Sequence, residues 1–357
     1  MRRKKSKKAN PQNSKQEQRA CFNAFKRRII SYLNLLGCEE VVPLIDNDSF
    51  HSMFKIRNFS VPKIKMAKDL IADREIKNDV YSKFEIMFSN KTIKINDQLT
   101  VSPKEVMSYF MVIDCMVQSK KDSSDIRDIL LVEKYSAKFP DFEVVFGQAF
   151  DGITSIASTI GMVITRMNSS LCWLEYLVKE EGSITQRDII EVNEYTPKKH
   201  MVMIDHHPRP VYPLSLAFSN HGPVDISVPA EKIKLPGAFD KKRIPVYVQN
   251  HLIHRLVERL DCMPPFISEF NLYCSILKAD FIYYRGKIFA GYYMDSTIKL
   301  GYILLEFCDD ILLAKTFLLL SNMGTPEGDK LSEISGMKKF DHKYWAIDKL
   351  STFTIPI

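Results

Sequence analysis

The hydrophobic pattern divides the chain into two textures. Between residues 15 and 37, Phe22, Phe25, Ile29, Ile30, Leu33 and Leu36 recur at helical spacing and Gly37 ends the run, which predicts an amphipathic helix. Helix signals then dominate to about residue 190. Ser102-Pro103-Lys104-Glu105 has the makings of a capping box with proline in the first turn. Ser183-Ile184-Thr185-Gln186 repeats the box after Gly182. Between the two boxes, residues 153–178 are rich in Ser, Ala and Gly and predict a long, tightly packed helix.

Near residue 197 the texture changes. Prolines at 197, 208, 210, 213, 223, 229, 236 and 245 exclude long helices and mark short strands and turns. Residues 201–205 and 211–218 read as strands, and 237–243 as a linker. From Ile244 the order is regular. An extended piece (246–248) leads into a helix that Asn250 caps and that runs to about Leu260. Pro264-Pro265 breaks the chain, and strands are expected at 272–277, 281–284, 288–294, 301–308 and 311–319. The short connectors Arg285-Gly286-Lys287 and Asp309-Asp310 make these strands antiparallel neighbours. The expected fold class is α+β: a disordered basic tail (1–14), a mainly α-helical region (15–196), a proline-rich connection (197–243), and an α+β domain (244–357) whose first helix packs on an antiparallel meander.

Charge adds one feature to this plan. The 357-residue chain has a net charge of +7, yet residues 1–30 hold eleven Lys or Arg and one acid, Glu17. The body is therefore close to neutral. Arg2, Arg3, Lys4, Lys5, Lys7 and Lys8 form a segment with nothing apolar to bury, suited to nucleic acid or another anionic surface; the plain alternative is a solvated tail. Seven scattered cysteines without a Cys-x-x-Cys pair argue for reduced thiols in a cytoplasmic setting and against zinc or disulfides. No apolar core follows the basic start and no stretch reaches membrane-spanning length. A soluble protein with no membrane partner is expected.

The chemistry worth singling out lies on the helix from Asn250. Leu252, Ile253, Leu256, Val257 and Leu260 form an apolar stripe. His251, Arg255 and Arg259, four residues apart, climb another side with His254 and Glu258. An imidazole moves protons near neutral pH, and guanidinium forks fit phosphoryl oxygens. The plain alternative is a solvated helix face with local pairs to Glu258.

The spacing His251-x3-Arg255-x3-Arg259, followed by a meander, resembles the ribonuclease-toxin superfamily that spans barnase, EndoU, colicin nucleases and RelE-type toxins, the BECR fold. The resemblance covers about residues 244–325. It implies a bacterial, toxin-like, metal-independent ribonuclease with no cofactor. His251 would be the general base or acid, and Arg255 and Arg259 would stabilise the phosphate. Thr316 would hydrogen-bond the phosphate or a catalytic side chain, with Lys315 on the opposite strand face. Asn322 and Thr325 lie in the loop that follows.

Two other functions stay open. The same domain can bind RNA, DNA or a protein without catalysis, with the helical region mediating assembly. Alternatively, Asp205-His206-His207 resembles the Asp-His-His motif of manganese phosphoesterases; the plain reading there is a loop. His342, beside Tyr344 and Trp345, reads as a surface contact. Of Phe281, Tyr283, Tyr284, Phe289, Tyr292 and Tyr293, strand alternation sends about half into the core.

Overall fold

The protein is α+β. The computed structural model describes residues 11–57, 61–67, 74–139, 142–177, 188–219, 221–233 and 242–353. The basic residues Arg2, Arg3, Lys4, Lys5, Lys7 and Lys8, the box at 183–186 and most of the linker at 237–243 lie outside them. Among the described residues, no helix is long and apolar enough to cross a membrane. All seven cysteines are free thiols.

The chain divides into two compact units. One comprises the described parts of Met1–Met66, Ala72–Ala157 and Glu175–Glu191. It is helical, as its pattern requires. Phe25, Ile29 and Leu33 of the helix Pro11–Leu35 share a core with Phe50 and Met53 of Asn47–Ile56 and with Val112 and Ile113 of Met111–Gln118. The helix starting at Pro103 has the capping box read from its sequence: Ser102 Oγ accepts from Glu105 N at 3.2 Å, and Glu105 Oε2 accepts from Ser102 N at 2.9 Å. The short strands Lys63–Met66, Ile93–Lys94 and Thr100–Val101 interrupt what the pattern gave as helix.

The second unit is Ala67–Ile71, Ser158–Leu174 and Val192–Ile357, in its described parts. The single helix expected over 153–178 is instead the helix Phe142–Ile164 followed by the strand Leu171–Leu177. The chain reverses at Arg166–Ser170, where Arg166 N donates to Ser170 O. Gly161 lets the returning strand lie against the helix: a Cβ there would sit 3.2 Å from the carbonyl oxygen of Cys172. Small residues marked a close approach of backbone, not a continued helix.

Within this unit we label the strands of the large sheet β1 (His200–Ile204), β2 (His207–Pro213), β3 (Ser227–Pro229), β4 (Arg243–Gln249), β5 (Phe281–Tyr284), β6 (Lys287–Met294), β7 (Ile298–Cys308) and β8 (Ile311–Leu319). The helices are α1 (Asn250–Arg259), α2 (Pro265–Leu277), α3 (Pro326–Ser335) and α4 (Lys339–Tyr344). The sheet order is β5-β6-β7-β8-β4-β2-β1, with β3 also on β4. The meander β5 to β8 is antiparallel. Only β4 and β8 run parallel, joined through the helices α1 and α2 and the meander.

Two expectations change here. The boundary at residue 244 does not separate units, because β1, β2 and β3 belong to the same sheet as β4. Prolines fit in this sheet because of where they fall. Pro208 and Pro210 pair with Met203 and Met201 of β1, while β4 reaches β2 only from Val211 onward. Their missing N–H groups face the side where no strand pairs, so no ladder bond is lost. The strand expected at 272–277 is the second half of α2. Its residues Leu272, Tyr273, Ser275 and Ile276 are buried on several sides, which erases the helical period and leaves an apolar run that reads equally as a buried strand.

The core gathers on one face of the sheet. Leu252, Leu256 and Leu260 from the α1 segment and Leu272 and Ile276 from α2 pack with Val246, Val248, Ala290, Ile303, Ala314 and Phe317. Each fully buried Leu or Ile contributes about 1.5–3 kcal/mol.

Candidate functional site

Helix α1 carries the residues singled out from the sequence. Its N-cap is Gln249, without a side-chain cap. Asn250 is not the cap: its Oδ1 accepts from Asn168 Nδ2 at 3.0 Å. The first-turn N–H groups therefore receive no capping side chain, and the positive end of the helix dipole is open to an anion. The apolar stripe is buried as read except at Val257, which is 43% exposed.

The three polar residues do not share one cleft. An α-helix rises ~1.5 Å per residue, so His251 and Arg259 stand about 12 Å apart along its axis. His251 lines a groove of ≈ 550 Å³ at the start of α1, with Thr316, Lys315, Arg209 and Asp205. Arg255 and Arg259 line another, of ≈ 640 Å³, at the end of α1, with Asn322 and α4.

The first groove has the greater chemical content. His251 is exposed, but the desolvation it meets at the groove wall, then the positive charges of Arg255 and Arg259, push its pKa below the ordinary 6.5. Its imidazole is thus neutral at pH 7 and able to accept a proton. Lys315 pairs with Glu306 at 2.5 Å. Burial works against its ammonium, but Glu306 and Asp205 outweigh it and the pKa rises. Arg209 is exposed and has no ion-pair partner among the described residues. Lys315 and Thr316 both border the groove, although strict alternation placed them on opposite faces. The reason is a β-bulge: Leu304 pairs with Thr316, the next residue Leu305 pairs with Ala314, and Lys315 is the extra residue. A bulge re-aims side chains in this way.

In the second groove both guanidiniums have partners. Arg255 Nη1 meets Glu258 at 2.5 Å, and Arg259 Nη1 donates to the carbonyl of Phe317. Burial, then the charge of Arg255, lowers the Arg259 pKa. Asn322 and Thr325 serve the backbone. Asn322 Oδ1 accepts from Leu319 N at 2.7 Å. The Thr325 hydroxyl has its one hydrogen within reach of the carbonyls of Asn322 and Leu320 and accepts from Gly328 N at the start of α3.

Asp205 and His206 are the two turn residues of the β1–β2 hairpin, at φ 51° and 63°. A two-residue turn of type I′ needs positive φ at both positions, and Asp and His are among the non-glycine residues that adopt it most readily. Among the described residues, no group of three His, Cys, Asp or Glu is placed to hold a metal ion. His342 is 4% exposed, not a surface contact, because α4 turns it inward onto Ser332.

Sequence reasoning missed Arg209, Lys339, Phe340 and Lys343. Arg209 stands between two prolines, an extended setting that displays a side chain. The alternation Lys339-Phe340-x-x-Lys343-Tyr344 is a two-line helical pattern that was there to be read. Comparison of the chain with protein-family models, with curated proteins and with solved structures finds no match.

Proposed function

We propose that the C-terminal unit acts on nucleic acid and that the His251 groove is a metal-independent ribonuclease-type site. The observation that carries this is a neutral imidazole at an uncapped helix start, beside the cations Arg209 and Lys315 and the hydroxyl of Thr316. A phosphodiester suits that collection. In this reading His251 takes the proton of the ribose 2′-OH as the 2′-oxygen attacks the adjacent phosphorus; the P–O5′ bond breaks, a 2′,3′-cyclic phosphate is left, and the departing 5′-oxygen takes a proton from water. Arg209, Lys315 and the helix N–H groups stabilise the charge on the pentavalent transition state, and Thr316 orients a phosphate oxygen. Arg255 and Arg259 act at a distance, by keeping His251 unprotonated. The basic residues 2–8 add sequence-independent affinity.

Incubation of total RNA with the purified full chain, with and without EDTA, tests this. Cleavage should survive EDTA and fall by about 10²–10⁴ in His251→Ala. Absence of cleavage by the folded protein would favour the non-catalytic binding reading.

The pH profile offers a separate check. A general base works in its neutral form, so activity should fall as pH drops through the His251 pKa, below 6.5. Arg255→Gln removes one positive neighbour and frees Glu258, and both changes raise that pKa. The acid limb should therefore move to higher pH, and an NMR titration of the His251 ring should move with it. A limb that stayed put would remove His251 from the base role.

A further inference from the structure

The groove at the other end of α1 has a character of its own. On α4, the four-residue period puts Lys339 and Lys343 on one line and Phe340 and Tyr344 on the next. Phe340 is 75% exposed, Tyr344 72% and Trp345 64%. The Phe340 and Tyr344 rings are near parallel, 6.4 Å apart at 23°, and Trp345 meets Tyr344 edge-on at 5.3 Å. Three neighbouring aromatic rings held in water are unusual for a folded surface and mark a binding face.

The adjoining groove is cationic. Arg255, Arg259, Lys339 and Lys343 line it against the carboxylates Glu258 and Asp348. Arg259 carries an unmet need: its Nε is buried with no hydrogen-bond partner, and its charge is disfavoured by burial and by Arg255. A second buried polar group on the wall is also unmet. His342 Nε2 lies 3.2 Å from Ser332 Oγ, whose own hydrogen goes to Gly328 O at 3.0 Å. The imidazole therefore donates from Nε2, and its Nδ1, a bare acceptor without a partner, calls for an N–H or O–H of a base or ribose and not for a phosphate oxygen. An anion in the groove would compensate this half-buried cation.

We propose that this groove binds a single-stranded polynucleotide, its phosphates against Arg255, Arg259, Lys339 and Lys343 and a base stacked on Phe340. Phosphate alone would leave the rings uncovered. A duplex hides the faces of its bases. Only a strand with unstacked bases meets both the charge and the rings. The groove is distinct from that of His251 and requires no cleavage there.

The test uses the full-length chain carrying His251→Ala, so that the probe stays intact under either account of the first groove. A fluorescein-labelled oligouridylate and a hairpin duplex of equal length are titrated by anisotropy over a range of salt. Phe340→Ala should weaken oligouridylate binding about tenfold, the loss of one stacked base. Replacing Lys339 and Lys343 together by Gln should lower the slope of log affinity against log salt by about 1.4. All three positions are exposed, so the fold is unaffected, and the basic tail contributes equally to every variant. The chain has two tryptophans; in a Trp173→Phe background, oligouridylate should quench Trp345 emission. No binding, unchanged affinity in Phe340→Ala, or a duplex bound as tightly as the single strand would overturn the proposal.

Discussion

Leu256→Ala should lower the stability of the C-terminal unit by about 2–5 kcal/mol, read as a shift in the urea midpoint at unchanged slope. Leu256 is fully buried, among Leu252, Leu260, Leu272, Ala314 and Phe317. Truncation removes its transfer energy and leaves a cavity that a sheet on one side and α2 on the other cannot close. Val257→Ala, one residue along and 43% exposed, should cost less than about 0.5 kcal/mol. The contrast tests which face of α1 is inward. It also bears on function, since this one helix carries His251 to the first groove and Arg255 and Arg259 to the second. Equal effects of the two substitutions would mean that α1 is rotated from the position described.

Gly301→Ala should cost about 3 kcal/mol or more. A Cβ at Gly301 would sit 2.2 Å from the carbonyl oxygen of Leu318 and 2.8 Å from the Phe317 ring. The first of these is backbone in the paired strands β7 and β8, where Gly301 faces Leu319, so relief requires parting the ladder. Gly291→Ala is the control. The atoms nearest its Cβ would all belong to the Tyr293 side chain, the first at 2.6 Å, and a side chain that is 37% exposed can swing away. Thermal melts of the two variants should differ by several degrees. A Gly301→Ala protein as stable as the parent would show that β7 and β8 do not approach as closely as described.

The sequence made the meander plain because each of its strands alternates or is bounded by turn chemistry. Arg285, Gly286 and Asp309 take the positive φ that such turns require. The helix at Asn250 was equally plain, since one face is apolar and the other charged. What it concealed has physical causes. Helix α2 is buried too widely to show a period. Lys315 and Thr316 are brought together by a bulge, which depends on the partner strand's register and leaves no local mark. His251, Arg255 and Arg259 look contiguous in a helical projection, yet the projection discards the axial rise that assigns them to different grooves. Phe340 and Lys343 drew no attention because their meaning depends on α1, far away in the chain.

The parallel contact of β4 with β8 has a consequence for how the protein comes into being. Val246 to Val248 lie against Leu312 to Ala314, partners that leave the ribosome far apart in time. The hairpins from β5 to β8 close over short loops and can form early, whereas β4 must wait for β8 before it has a neighbour on that side. The start of α1, Lys315 and Thr316 meet only when that long closure is made. The His251 groove is therefore among the last features to exist during synthesis, and whatever chemistry it performs is withheld from the nascent chain until the sheet is complete.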